Sequence, residues 1–489
     1  MRTYQLLIGG EWVTTDDRKQ IRSPYSEQLV GSVAVATAEH ADKAVDAAAA
    51  ALRNGAPPQH ERADALEAAR RLVAERADDF ARCIAEESGK PLATAAAEVA
   101  RCQDTLLFSA IEARKLAGSV VPFEGSSAGA GKLGFTLYHP KGIVAAITPF
   151  NFPLNLVTHK LAPAFAAGCP VVLKPAGDTP LTAYLLAEVM VEAGWPEGFL
   201  SVLTGSSSTI GPAMTGRPEV KVISFTGSTE IGQSLEENNP HAEVLTELGN
   251  NTPVIVDASA DLESAAAKLA ATGYSFAGQS CISAQRVYVM SSVKDTFLDL
   301  LTAKVGELVV GDPLDPDTDV GPMIRPDDRD RVLQWIKEAQ DAGAKIMAGG
   351  EVNDDGCLQP TVLDDVTPDM KVSAEEIFGP VLAVQAVADL DEAIRLANDT
   401  SYGLQAGIFT GDLNAGLRAA TELKFGGVMI NESPTFRADQ QPYGGMRDSG
   451  NTREGPAWAI HDYLEETVVV LQLGPGGGSG GAGPVGSGS

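Results

Sequence analysis

GIVAAITPFNFPLNLVTHKLAPAFAAGCPVVLK, residues 142–174, decides the fold. Its first seven residues form an apolar run with no alternation, as expected of a strand buried on both faces. Residues 154–167 read as a helix stopped by Gly168, and VVLK at 171–174 is a second buried strand. The rhythm continues outward with a helix over 182–193 and strands at 200–203 and 220–225 (VKVISF). Strands and helices alternating at this interval predict a doubly wound parallel sheet, which binds its ligands at the carboxyl ends of the strands.

Upstream, apolar residues at three- and four-residue steps from Leu66 to Ile84 predict one long helix over 61–88, with Gly89 and Pro91 as stop signals. Downstream, PVIV (253–256), RVYVM (286–290) and GGVMIN (426–431) open a second α/β series. Two isolated β-rich runs, 135–139 and 467–473, would leave unpaired edges, so they are expected to pair with each other or with another subunit. Residues 474–489 (GPGGGSGGAGPVGSGS) carry no apolar periodicity and read as a flexible tail.

The chain of 489 residues is too long for a single core, and its 44% hydrophobic and 21% charged content is that of a folded globular protein. Acidic residues outnumber basic ones by 65 to 37, a net charge of -28 that repels polyanions and argues against a nucleic-acid partner. No segment has the uninterrupted apolar length of a membrane span. Cys83, Cys102, Cys169, Cys281 and Cys357 are scattered, with neither the spacing of a disulfide framework nor that of a metal site. The expectation is a cytoplasmic protein without a metal.

Seven segments, in order, resemble the signatures of the aldehyde dehydrogenase superfamily: TPFNFP (148–153), KPA (174–176), FTGSTEIG (225–232), ELGN (247–250), GQSC (278–281), EEIFGPV (375–381) and PYGGMRDSG (442–450). The resemblance covers nearly the whole chain to about residue 473. It implies a Rossmann-type dinucleotide domain (1–119 with 141–246), a second α/β catalytic domain (247–455), and a bridging β element (120–140 with 456–473) that makes a homodimer or homotetramer. It also implies oxidation of an aldehyde to its acid with NAD or NADP.

The chemistry fits the residues. A thiolate adds to an aldehyde and later leaves as a thioester is hydrolysed, and Cys281 after the Gly-Gln-Ser turn is placed for that. A neutral amide aimed at the developing oxyanion suits Asn151, and a base to activate water suits Glu247. Glu247 also argues against transfer of the acyl group to coenzyme A, and the presence of all three residues argues against a catalytically dead, purely structural member.

For the cofactor, Gly227, Ser228 and Gly232 (GSTEIG) follow a strand and open a helix, as a phosphate-cradling turn requires. The resemblance gives Lys174 to the adenosine ribose, Glu376 to the nicotinamide ribose and Phe378 to the nicotinamide, with further contacts at Thr148, Pro149, Phe150, Phe225, Leu248 and Gly249. Relatives often carry Glu where this chain has Gly177, and without that carboxylate a 2′-phosphate is not repelled, so NADP is acceptable beside NAD. Substrate contacts are expected from Phe152, Gln279, Ser280, Ile282 and Arg437. Two readings of Arg437 stand: a guanidinium that binds an anionic or hydroxylated small aldehyde, or a surface cation paired with Asp439.

Overall fold

The computed structural model describes residues 1–473, so the expected tail lies outside the described residues. A first seven-stranded sheet runs in the order Glu243–Glu247, Val220–Thr226, Ile143–Ile147, Val171–Lys174, Leu200–Val202, Leu6–Ile8, Glu11–Val13. The first five strands are parallel, and an N-terminal hairpin extends the edge in antiparallel fashion. Chain order reverses between Ile143–Ile147 and Val220–Thr226, so their carboxyl ends flank a crevice. GIVAAIT forms its strand because Val144 and Ala146 face one apolar core while Ile143 and Ala145 face another.

The second seven-stranded sheet, ordered Lys345–Ala348, Thr361–Asp364, Val381–Val387, Arg286–Met290, Pro253–Val256, Gln405–Phe409, Gly427–Ile430, is parallel except for its first strand and has its own core on either face. The two isolated β-rich runs pair with each other: Leu464–Gln472 lies antiparallel along Lys132–Pro140, with Val469 opposite Phe135. Helix Pro456–Asp462, which leads into Leu464–Gln472, sinks Ala459 and Ile460 into the core of the first sheet.

One expectation needs correction. The single helix over 61–88 is two, Gln59–Glu75 and Ala77–Ser88, broken at Arg76 (φ −110°, ψ 21°). Both pack on helix Leu92–Lys115. The apolar spacing runs through the break unchanged, because each helix presents its stripe to the same neighbour.

Candidate active site

Four strand ends of the first sheet carry the site. Ile143–Ile147 delivers Thr148 to Phe152, Val171–Lys174 ends on Lys174, Val220–Thr226 opens into Gly227 and Ser228, and Glu243–Glu247 ends on Glu247. Ser228 immediately precedes helix Thr229–Asn238, and its side chain makes no hydrogen bond to the first turn. The amides of Gly227 and Leu248 are tied to the carbonyls of Glu247 and Ser449, at 3.1 and 3.0 Å, which joins these loops to the second half of the chain.

Cys281 comes from the other side. Helix Leu262–Gly273 gives way to the short turn Ser275–Gly278, in which Phe276, Ala277 and Gly278 all take positive φ (50°, 51°, 69°). Two non-glycine residues held there are costly backbone that the surroundings must enforce. A Cβ on Gly278 would sit 2.1 Å from the Gly379 carbonyl, so only glycine lets the cysteine turn approach the loop bearing Phe378. Cys281 is half-buried, and its sulfur lies 3.0 Å from the Tyr443 hydroxyl.

The two sides enclose a cavity of about 300 Å³. Its walls include Asn151, Glu247 and Cys281, with Phe152, Ser280, Ile282 and Arg437 beside them. Pro149, Phe150, Gly227, Ser228, Leu248, Gly249, Glu376 and Phe378 complete the side towards the first sheet. A larger cleft of about 980 Å³ continues past Thr148, Pro149, Phe150, Phe225, Gly227 and Ser228 to Lys174 and Gly177.

Two expected residues do not line either space. Gln279 turns inward: its Oε1 accepts from the Ile324 amide at 2.9 Å and its Nε2 donates to the Phe276 carbonyl at 3.1 Å, so it braces the cysteine turn instead of touching substrate. Gly232 is already inside the helix, where a Cβ would lie 2.6 Å from Leu248 Cδ2, so it lets the helix close on Leu248 and is no part of a phosphate turn.

The electrostatics separate the carboxyls. Burial, then repulsion from Glu454, pushes Glu247 well above the usual carboxylate range, and both its oxygens lack a protein partner. Burial would push Glu454 up too, but Arg437, His159 and Lys160 hold it down at about 2. Burial raises Glu376 to about 7 even though Asn250 N–H donates to it at 3.0 Å. Burial, reinforced by Glu376 and Glu247, pushes the Cys281 thiol up to about 12 against the pull of the Tyr443 hydrogen bond. Asn151 Nδ2 donates to the Gln279 carbonyl at 3.0 Å, which fixes the amide against the cysteine turn.

Arg437 is neither a surface residue nor the partner of Asp439. Its side chain is 5% exposed and bonded through Nη2 to Glu454 at 2.8 Å, while Asp439 takes both Arg101 and His159. Its Nε has no protein partner. Sequence reasoning also missed Arg101 and Tyr443, which line the cavity, and the buried pair Lys90–Glu98. Glu98 Oε1 accepts the amides of Leu154 and Asn155 at 2.9 and 3.0 Å, closing the loop after Asn151, and Lys90 Nζ stands 3.9 Å from the Phe152 ring. PYGG marked position 443 without showing where its hydroxyl would go.

The dinucleotide that the resemblance implies fits the cleft. The hydroxyls of Thr148 and Thr226 are buried without partners at its wall, a helix N-terminus opens on it at Ser228, and the Glu376 carboxylate is held by one backbone amide. Gly177 leaves room where a Cβ would meet only Lys19 Nζ, at 3.0 Å. Among the described residues no group of three His, Cys, Asp or Glu side chains is arranged to hold a metal.

Comparison with known proteins gives the family and the fold. The family model described as "Aldehyde dehydrogenase family" matches residues 12–469. The chain is 44% identical to a 3-sulfolactaldehyde dehydrogenase of Priestia aryabhattai over 97% of this chain and 99% of that one. It is 39% identical to the NADP(+) succinate-semialdehyde dehydrogenase of Escherichia coli, over 96% and 98%. The crystal structure of aldehyde dehydrogenase 21 from Physcomitrella patens, in complex with the reaction product succinate, superposes with a TM-score of 0.93 at 37% identity, covering 96% of this chain and 98% of that one.

Proposed function

The chain belongs to the aldehyde dehydrogenase family and is an NAD(P)-dependent oxidoreductase acting on aldehydes, and we propose that its substrate is a small anionic or hydroxylated aldehyde, oxidised through Cys281 with Glu247 as base. The observation that carries this reading is the convergence of Cys281, Asn151, Glu247 and Arg437 on one cavity of about 300 Å³, with the Arg437 guanidinium held by protein through Nη2 alone. So small a space suits a short substrate, and the buried guanidinium suits a negative or hydroxylated end. Relatives named for 3-sulfolactaldehyde and succinate semialdehyde support the same class.

In this mechanism the Cys281 thiolate adds to the carbonyl carbon, and the π pair moves to oxygen, where the free N–H of the Asn151 amide donates to it. When NAD(P) is bound, its role is to take up the hydrogen and electron pair lost from that carbon. Lys174 and Ser228 would hold its phosphate and adenosine side, while Glu376 and Phe378 would orient its nicotinamide end. Glu247 then takes a proton from water as the oxygen attacks the thioester, and the C–S bond breaks to return the sulfur. The raised position of Glu247 matters here, because it stays basic enough to accept that proton.

We assign cofactor binding to residues 1–119 with 141–246, catalysis to 247–455, and subunit contact to 120–140 with 456–473. Val120, on the short strand Val120–Val121 beside Lys132–Pro140, shares one face of this sheet with Leu133 and Leu137, and Val468 and Val470 lie on the other; all five are 40% to 74% exposed, apolar surface suited to a second copy of the chain as homodimer or homotetramer. No helix among the described residues is long and apolar enough to cross a membrane, and the five unpaired cysteines suit a reducing cytoplasm.

The test is a panel of sulfonated, carboxylated, hydroxylated and plain short aldehydes, each assayed with NAD and NADP and without coenzyme A. Higher kcat/KM for the charged or hydroxylated members, with free acid as product, is expected. Preference for long apolar aldehydes, or a requirement for coenzyme A, would overturn the assignment.

A further inference from the structure

Cys281 Sγ has one side-chain hydrogen-bond partner among the described residues, the Tyr443 hydroxyl at 3.0 Å. Two carboxyls line the same cavity as this sulfur, Glu376 and Glu247, and both oppose a negative charge on it, while Arg437, also in its wall, favours one. Tyr443 is not placed by chance. Its backbone pairs with Glu454, Tyr443 N–H donating to the Glu454 carbonyl at 3.0 Å and Glu454 N–H returning a bond at 2.6 Å. Over the ring lies the Arg437 guanidinium, 3.8 Å from its centroid, held in turn by Glu454.

We propose that Tyr443 is a further catalytic residue, whose hydroxyl donates a hydrogen bond to the Cys281 sulfur when it is a thiolate, with Arg437 as the positioning residue that fixes the ring. This rests on the reading of Cys281 as the nucleophile. With a neutral thiol either atom can be the donor, but a thiolate has no proton to give, so only the phenol can donate. The thiol proton leaves to a carboxylate or water, and Tyr443 keeps its own. Burial, and the neighbouring Cys281, hold that phenol protonated, which suits a donor and excludes a base. A cation over the ring face draws electron density from the phenol and makes its O–H a stronger donor. As the C–S bond forms, charge passes from sulfur to the carbonyl oxygen and the phenol's task ends, so the bond serves the nucleophile before attack. A phenylalanine here would fill the same space and leave the thiolate between two carboxyls with no side-chain donor.

The experiment is the pH dependence of iodoacetamide alkylation, followed by the mass of the Cys281 peptide with residual activity measured in parallel, in wild type and Tyr443→Phe. A charge-assisted hydrogen bond to the thiolate is worth about tenfold or more in thiolate fraction. Alkylation of Cys281 at neutral pH should therefore fall by about that factor in Tyr443→Phe, with the limb displaced to higher pH and the plateau in strong alkali unchanged. Binding of NAD(P) should be unaltered, which reports a folded variant. Site-specific 3-fluorotyrosine at position 443, a stronger donor, should move the limb below that of wild type. Coincident limbs in wild type and Tyr443→Phe, or a fluorotyrosine limb that does not move, would overturn the role of Tyr443 alone. Activity that survives complete alkylation of Cys281 would instead overturn the nucleophile, whatever the limbs do.

Discussion

Arg437 offers the sharpest test of substrate class. Only its Nη2 hydrogen-bonds to protein, donating to Glu454 at 2.8 Å while His159 Nε2 gives its proton to Asp439, so Nη1 is left for a ligand in the cavity that Arg437 lines. A charge-assisted hydrogen bond to an anionic substrate is worth about 1.5–3 kcal/mol, which at 1.36 kcal/mol per decade is roughly 10- to 150-fold in kcat/KM. Arg437→Met removes that bond but also takes from the buried Glu454 carboxylate its hydrogen-bond partner, leaving it Lys160 Nζ at 3.7 Å, and so lowers stability. The double variant with Glu454→Gln removes the carboxylate as well, and with it the partner of Lys160. Measured with succinate semialdehyde or 3-sulfolactaldehyde against propanal, the ratio of kcat/KM values should fall by the stated factor in both variants. The ratio cancels any effect on Cys281 or Tyr443, because both substrates share them. Equal losses for charged and plain aldehydes would refute the argument.

Other consequences follow from the same geometry. Gly177→Glu places a carboxylate near Lys19 Nζ and at the cleft wall, so the ratio of kcat/KM for NADP to that for NAD should fall about tenfold or more; an unchanged ratio would place the 2′-phosphate elsewhere. Hydrolysis needs Glu247 as carboxylate, so kcat should rise with pH through its elevated value. Glu454→Gln deletes a neighbouring negative charge and frees Arg437 and Lys160, so the acid limb should move to lower pH, and a limb that stays or moves up would contradict the coupling. Glu98→Gln leaves Lys90 charged and unpaired in the interior, at about 3–5 kcal/mol, and weakens the cap that closes the loop after Asn151. Thermal unfolding should show a fall of many degrees and, below it, a reduced kcat; a midpoint within a degree of wild type would show that the pair is dispensable.

The parallel strands were legible because burial on both faces leaves unbroken apolar runs, as in VVLK and RVYVM. The helix break at Arg76 was not, since the stripe that each helix turns to the 92–115 helix continues through it. The site divided along the same line. Residues on strand ends, Asn151 and Glu247 among them, converge because the sheet topology makes them converge. Partnerships across long sequence separations leave no local mark: Arg437 chose Glu454 over Asp439, two residues away, and Tyr443 reaches Cys281 from 162 residues on. Gln279 misled because adjacency to the cysteine says nothing about direction, and in a turn with three positive φ values the neighbouring side chain points into the core.

The central claim is that the acyl group passes through Cys281 and is released by Glu247. Glu247→Gln, mixed with an aldehyde substrate and NAD(P), quenched and digested, should give one burst of reduced cofactor and a mass increase equal to the acyl group on the peptide containing Cys281. An acyl group on the peptide of Cys83, Cys102, Cys169 or Cys357, or undiminished steady turnover with no adduct at all, would contradict it.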